Sequence, residues 1–292
     1  MFTSAAPPIV AAALICGLAT AAFSADQPFT VALWEGAMMT HLLTPSLVDA
    51  LHLQPTSQFE VIDGISVVFL TRDGQFYSLP QPGVLPVKGS ARVDSFAVST
   101  GLIVVTSGDR LGWYEDGKIR ERIKLPSTGM QVAAGANQAL YVYDQKSKGN
   151  RIYFLQDGKV AQLVEIRNGN IAAFATIGER MFFASGNAIY TAAPGENPAL
   201  LFVAEGQRTI RSLAADPNAG LVYFSAGEAV YAMRAGVAIS ILRGMAGFLR
   251  YSKDALFVLD PEKKRLVKVV GLEKLTMSAS IGSTSPPMKF KE

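Results

Sequence analysis

The sequence predicts an all-β fold: a six-bladed β-propeller of four-stranded antiparallel blades, preceded by an N-terminal strand and a short helix. Three observations predict it. Short runs rich in β-branched and aromatic residues recur at 65–71, 102–106, 139–144, 180–184, 221–225 and 255–260, with starts 37, 37, 41, 41 and 34 residues apart. A period near 40 is the signature of a repeat array or propeller, not of alternating strands and helices. Each run is preceded by one short strand and followed by another, with glycine-bearing turns between them. The preceding strand carries small residues around one large apolar side chain, as in Ser95-Phe96-Ala97, Ala173-Phe174-Ala175 and Ser212-Leu213-Ala214. Strands converging on a common axis have room for little else.

Taken in chain order, residues 1–25 differ from the rest. They contain no Asp, Glu, Lys or Arg, and 9–22 is a nearly unbroken run of small and apolar side chains. Ala22-Phe23-Ser24 then forms a small-x-small step before Asp26 and Gln27, which predicts a secretory signal peptide cut after Ser24 or Ala25. The rival expectation is an uncleaved anchor, since the 21 residues of 5–25 are long enough to cross a bilayer. Only in that case is membrane contact expected. The single cysteine, Cys16, falls inside this segment, so the exported chain, periplasmic or secreted, is expected to have no disulfide or thiolate chemistry.

Residues 26–57 are read as a strand and helix segment. Thr44 is placed to cap a short helix begun by Pro45. Residues 58–275 hold the propeller. Inner strands are expected at 93–99, 171–176 and 210–215, and third strands at 75–79, 111–114, 151–155, 188–190 and 229–232. Asp116-Gly117, Asp157-Gly158 and Ala235-Gly236 are the expected hairpin turns, because glycine reaches positive φ without steric cost. The last unit, over 245–270, lacks a fourth strand, and the apolar 29–34 is the expected donor that closes the ring. Residues 276–292 are expected to form a flexible tail.

This grammar resembles the six-bladed, TolB-like and NHL-like propeller class over 58–270. The resemblance implies the fold and carries no functional residues with it. No Trp-Asp pair ends the blades, so the chain does not resemble the WD40 propellers.

The 292 residues are 49% hydrophobic and 17% charged, ample for a buried core. A net charge of +3 is too mild for a nucleic-acid partner. Chemistry is sparse. The two histidines, His41 and His52, lie in the N-terminal segment, which leaves the propeller without an imidazole for a triad or a metal. No cofactor is expected. Tyr77, Tyr114, Tyr153, Tyr190 and Tyr231 recur at equivalent third-strand places and read as packing between blades. The connections into the inner strands carry Lys88, Arg92, Arg167, Arg208 and Arg243, a basic ring suited to an acidic protein surface or another anion. The leading expectation is therefore a non-enzymatic binding or scaffold propeller that engages a protein or anionic partner through one face. The alternative is a metal-dependent hydrolase or lactonase at the channel mouth, with Glu60, Asp94 and Asn170 as ligands.

Overall fold

The computed structural model describes residues 31–79, 83–85, 92–135, 139–144, 150–156, 159–166, 169–275 and 290–291. Six antiparallel sheets follow one another along the chain, which is a six-bladed β-propeller. Blade 1 runs Pro55–Ile62, Ser66–Thr71, Phe76–Leu79 and Gly83–Leu85 from the axis outward. Blade 2 is Ser95–Ser99, Leu102–Ser107, Arg110–Glu115 and Lys118–Lys124. Blade 3 is Gln131–Ala134, Leu140–Tyr143, Asn150–Gln156 and Lys159–Ile166. Blade 4 is Ala173–Ile177, Arg180–Ser185, Ala188–Ala192 and Ala199–Val203. Blade 5 is Ile210–Asp216, Leu221–Ala226, Ala229–Arg234 and Val237–Arg243; blade 6 contributes Phe248–Ser252, Ala255–Asp260 and Arg265–Val270. All six second strands fall on the recurring runs of the sequence. Two of the three expected hairpin turns are also present: Asp116-Gly117 and Ala235-Gly236 take positive φ at both residues, and the third, at 157–158, lies outside the described residues.

Ring closure differs from expectation. The fourth strand of blade 6 is Met38–Leu43, paired with Arg265–Val270 from Met38↔Val270 to Leu43↔Leu266. The segment expected there instead contributes Ala32–Trp34, which pairs with the outer strand of blade 5 and is itself flanked by Phe290–Lys291. The tight Trp34–Ala37 connection between the two strands explains the choice, because it sends the chain from one blade to the next. Ala37 N donates to Trp34 O at 3.0 Å, and the Trp34 ring lies over Gly36 so closely that a Cβ there would meet it at 2.3 Å. After the closing strand comes the helix Pro45–Ala50, with Thr44 Oγ1 accepting from Leu47 N at 3.3 Å as its cap. Among the described residues no helix is long and apolar enough to cross a membrane, and residues 1–25 lie outside them.

The core is divided into six clusters, one between each pair of adjacent blades. Phe59, Phe69 and Phe257 fill the wedge between blades 6 and 1; Phe76 and Phe96 fill that between 1 and 2. Each large side chain buried this way contributes roughly 1.5–3 kcal/mol. Of the third-strand tyrosines, Tyr114 meets Phe76 of the neighbouring blade at 5.3 Å, whereas the Phe224–Tyr231 and Phe183–Tyr190 stacks, at 4.9 and 5.7 Å, join strands of one blade.

The small residues of the inner strands have a second role. Ser95 Oγ accepts from Val132 N at 3.2 Å, and Thr106 Oγ1 donates to Met130 O at 2.7 Å, latching blade 2 to blade 3. Ser212 Oγ and Ser225 Oγ repeat the pattern on Leu249 N and Gly247 O, at 2.9 and 2.6 Å, latching blade 5 to blade 6. In blade 1 one residue does both jobs: Gln58 accepts from Phe96 N and donates to Asp94 O. Blade 4 has Ala173 and Ala184 at these places and makes an apolar joint. Ser225→Ala, which leaves a buried carbonyl unpaired, is expected to cost about 1–2 kcal/mol in urea unfolding. Unchanged stability would show that the hydroxyl does not hold the joint.

Candidate functional site

Inner strands can approach the axis only so far, and the space they leave is a cavity of about 670 Å³. The ladder register places Glu60, Ala97, Ala133, Ala175, Ala214 and Arg250 at equivalent positions of the six inner strands. Ala133, Ala175 and Ala214 line the passage, Ala97 is buried between blades 2 and 3, and the two remaining positions hold opposite charges. Arg250 Nε lies 2.7 Å from Glu60 Oε1, and both side chains are largely withdrawn from solvent, at 32% and 14% exposure. The same guanidinium donates from Nη1 to Leu249 O at 2.8 Å and lies 5.4 Å from the centroid of the Phe59 ring. One face and two donors of Arg250 are thus engaged, Nη1 by Leu249 O and Nε by Glu60.

Burial holds the Glu60 carboxyl above its ordinary 4.5, outweighing the pull of the Arg250 charge and hydrogen bond. Tyr143, across the cavity, is pushed up to about 12, first by burial, with Arg250 opposing and Glu60 adding. Tyr143 and Gln131 both line the cavity. Farther along, Tyr251 donates to Asp216 Oδ2 at 2.7 Å, and burial together with that bond raises its phenol well above the usual range.

The mouth, where the inner strands begin, is marked by a second arginine. The pairing of blade 5 slips between Ile210 and Ser212, so Arg211 is the extra residue of a β-bulge. Its exposed side chain lines the cavity and has no ion-pair partner among the described residues. At the opposite end, the Lys253-Asp254 turn holds two non-glycine residues at φ 45° and 60°, and Lys253 Nζ approaches Asp63 Oδ1 at 3.5 Å.

The residues singled out from sequence are dispersed. Of the basic ring, Lys88 and Arg167 lie outside the described residues. Arg92, Arg208 and Arg243 sit where the chain enters inner strands, but none lines the cavity. Arg92 leans toward Asp94 at 3.8 Å, Arg208 lies back over Gly227 toward the Tyr231 hydroxyl, and Arg243 Nε donates to Ser240 Oγ at 3.3 Å. Among the alternative metal ligands only Glu60 reaches the cavity. Asp94 precedes its strand and accepts from Gly108 N at 2.8 Å, while Asn170 is exposed before the inner strand of blade 4. They do not converge, because Asp94 and Asn170 belong to turns at the strand starts and Glu60 lies farther along its strand. No group of three or more His, Cys, Asp or Glu side chains suited to a metal occurs among the described residues. Arg211 and Arg250 were missed, although a signal existed: each interrupts a small or apolar inner strand with a cation.

Glu60→Gln tests the buried carboxyl. Its folded-state titration lies above that of the unfolded chain, so the folded protein holds the proton longer and loses stability as pH rises through that interval. The variant has no such loss. The urea midpoint of Glu60→Gln is therefore expected to gain on the wild type as pH rises above the ordinary glutamate range. A constant difference would mean that Glu60 titrates normally.

No protein-family model matches the chain, and no curated protein sequence does. Solved structures match its fold. A gluconolactonase from Xanthomonas campestris is 13% identical with a TM-score of 0.59, covering 84% of this chain and 98% of that one. A luciferin-regenerating enzyme is 14% identical with a TM-score of 0.60, covering 81% and 96%. A chain of a nidogen–laminin complex is 12% identical with a TM-score of 0.54, covering 82% and 97%. At such identities the likeness is one of fold alone.

Proposed function

We propose that the protein is an exported binding propeller that receives an anionic ligand, or an acidic segment of a partner protein, at the mouth of its central channel. The observation that carries this reading is Arg211: a cation on the cavity wall at a β-bulge, beside Ser212, Ala214 and Ala215, with no ion-pair partner among the described residues. Arg250 stands deeper along the same passage, and low-dielectric walls focus the field of both. Arg92, Arg208 and Arg243 lie on the side from which a ligand would approach, where they add to long-range attraction rather than to contact. The match to a nidogen–laminin chain is consistent with this fold serving protein recognition. Export rests on the apolar character of residues 1–25.

Calorimetric titration with a hexaglutamate peptide tests the reading. Saturable binding is expected, weakened about tenfold or more by Arg211→Glu. The triple exchange of Arg167, Arg208 and Arg243 for Glu is expected to slow association and to remove its salt dependence. Equal binding by wild type and Arg211→Glu would remove the channel mouth from the mechanism.

A hydrolytic reading is favoured by one comparison, the gluconolactonase match. Against it, the one carboxylate at mid-channel is already engaged by Arg250. The binding reading predicts no gluconolactone hydrolysis and no rise in melting temperature with millimolar calcium or zinc. A clear rise would signal a metal bound to the native state and would favour the hydrolase.

A further inference from the structure

The pairing of Glu60 with Arg250 has a chemical reading of its own. Arg250 is a shaped receptor: Phe59 supports its plane, Leu249 O fixes Nη1, and Nε presents a donor to a carboxylate. The group now in that place is the chain's own Glu60, brought from a neighbouring blade. At this level the cavity wall carries Ala133, Ala175 and Ala214, with Phe174, Val98 and Val132 also on it. A ligand that fits has one planar anion and an apolar body.

We propose that the channel binds a monocarboxylate with an apolar body, whose carboxylate replaces Glu60 on Arg250 while Glu60 takes up a proton from solvent. This rests on the channel being a ligand site and adds the ligand's chemistry and its coupling to protons. Displaced from Arg250, Glu60 has no second cation in contact with it among the described residues: the other cations on the cavity wall are Arg211 at the mouth and Lys253, which pairs with Asp63. On its own blade it faces Val68 across the ladder; the inner strand of blade 2 offers Ala97 and Val98, and that of blade 6 offers only Arg250. Across the cavity stands Tyr143, whose phenol stays neutral. A charged Glu60 beside a bound carboxylate would place two like charges in a confined, weakly solvated space, a cost that protonation relieves. Burial already favours the neutral form of this carboxyl. The exchange conserves charge: one negative group leaves Arg250 as a neutral acid, and one arrives.

The test is calorimetry on the intact protein with phenylacetate as probe and 2-phenylethanol and phenylphosphonate as comparators, in buffers of different ionisation enthalpy. Phenylacetate is expected to saturate one site with uptake of about one proton, its affinity falling about tenfold per pH unit above the titration of Glu60. The alcohol, lacking the anion, is expected to bind at least about tenfold more weakly. Glu60→Gln should bind phenylacetate without proton uptake and without pH dependence. Arg250→Gln should lose the affinity; if its melting curve shows it unfolded, Ala175→Leu, which narrows the channel, should lose it in a folded protein. Equal binding of alcohol and acid, preference for the phosphonate, or binding with no proton uptake by the wild type overturns the exchange. So does a folded wild type that does not bind phenylacetate. If hexaglutamate binding depends on Arg211 while phenylacetate fails, the channel-mouth reading stands and the carboxylate exchange alone falls. If neither probe binds, both fall.

Discussion

The structure depends on one constraint: no blade has a core of its own. Each is a single twisted sheet, and its apolar side chains are buried only where the next blade covers them, as the six separate clusters show. A blade without neighbours would expose both faces. The sheets must therefore form a complete circle, and the last joint must be secured by chain from the far end. Met38–Leu43 does this by becoming the outer strand of blade 6. It removes the exposed edge of Arg265–Val270 and binds the two ends of the repeat region together.

The joints are not alike, and the differences locate the site. Hydroxyl latches hold blades 2 to 3 and 5 to 6, and an amide holds 1 to 2. The seam between blades 6 and 1, where the ring closes, has a run of ionic contacts instead. Glu60–Arg250 lies in the channel, Lys253–Asp63 at its far end, and Lys264–Asp49 beside the helix. Lys268 Nζ adds a bond to Gly64 O at 3.0 Å. The exposed pairs contribute little individually. The Glu60–Arg250 pair differs because removing Glu60 leaves Arg250 charged and partly buried, and removing Arg250 takes away the charge that opposes protonation of the buried Glu60. The same contact is thus a structural tie and the polar centre of the cavity.

The fold shared with a gluconolactonase, a luciferin-regenerating enzyme and a nidogen–laminin chain does not by itself assign a function. Blade packing demands large apolar residues on the sheet faces. The axis demands only that side chains be small enough to coexist. Function is therefore written in the larger and charged side chains of the lining, among them Arg211, Arg250 and Glu60.

By itself the sequence determined the blade. The spacing near 40 residues, the second-strand runs and the glycine turns are local signals, set by backbone propensity and side-chain periodicity. The cap at Thr44 and the packing tyrosines were legible for the same reason. The closing strand was not, because Ala32–Trp34 and Met38–Leu43 are both short strands. Only the turn that packs Trp34 over Gly36 decides which blade each strand joins. The site was legible in one residue, Glu60, and its meaning was not. Its partner Arg250 is 190 positions away, and only the circular closure of the sheets brings the first and last inner strands side by side. Arg211 faces the cavity because of a one-residue slip in pairing, which no local pattern records. What tertiary structure alone decided was which charges meet, since that depends on register and closure rather than on composition.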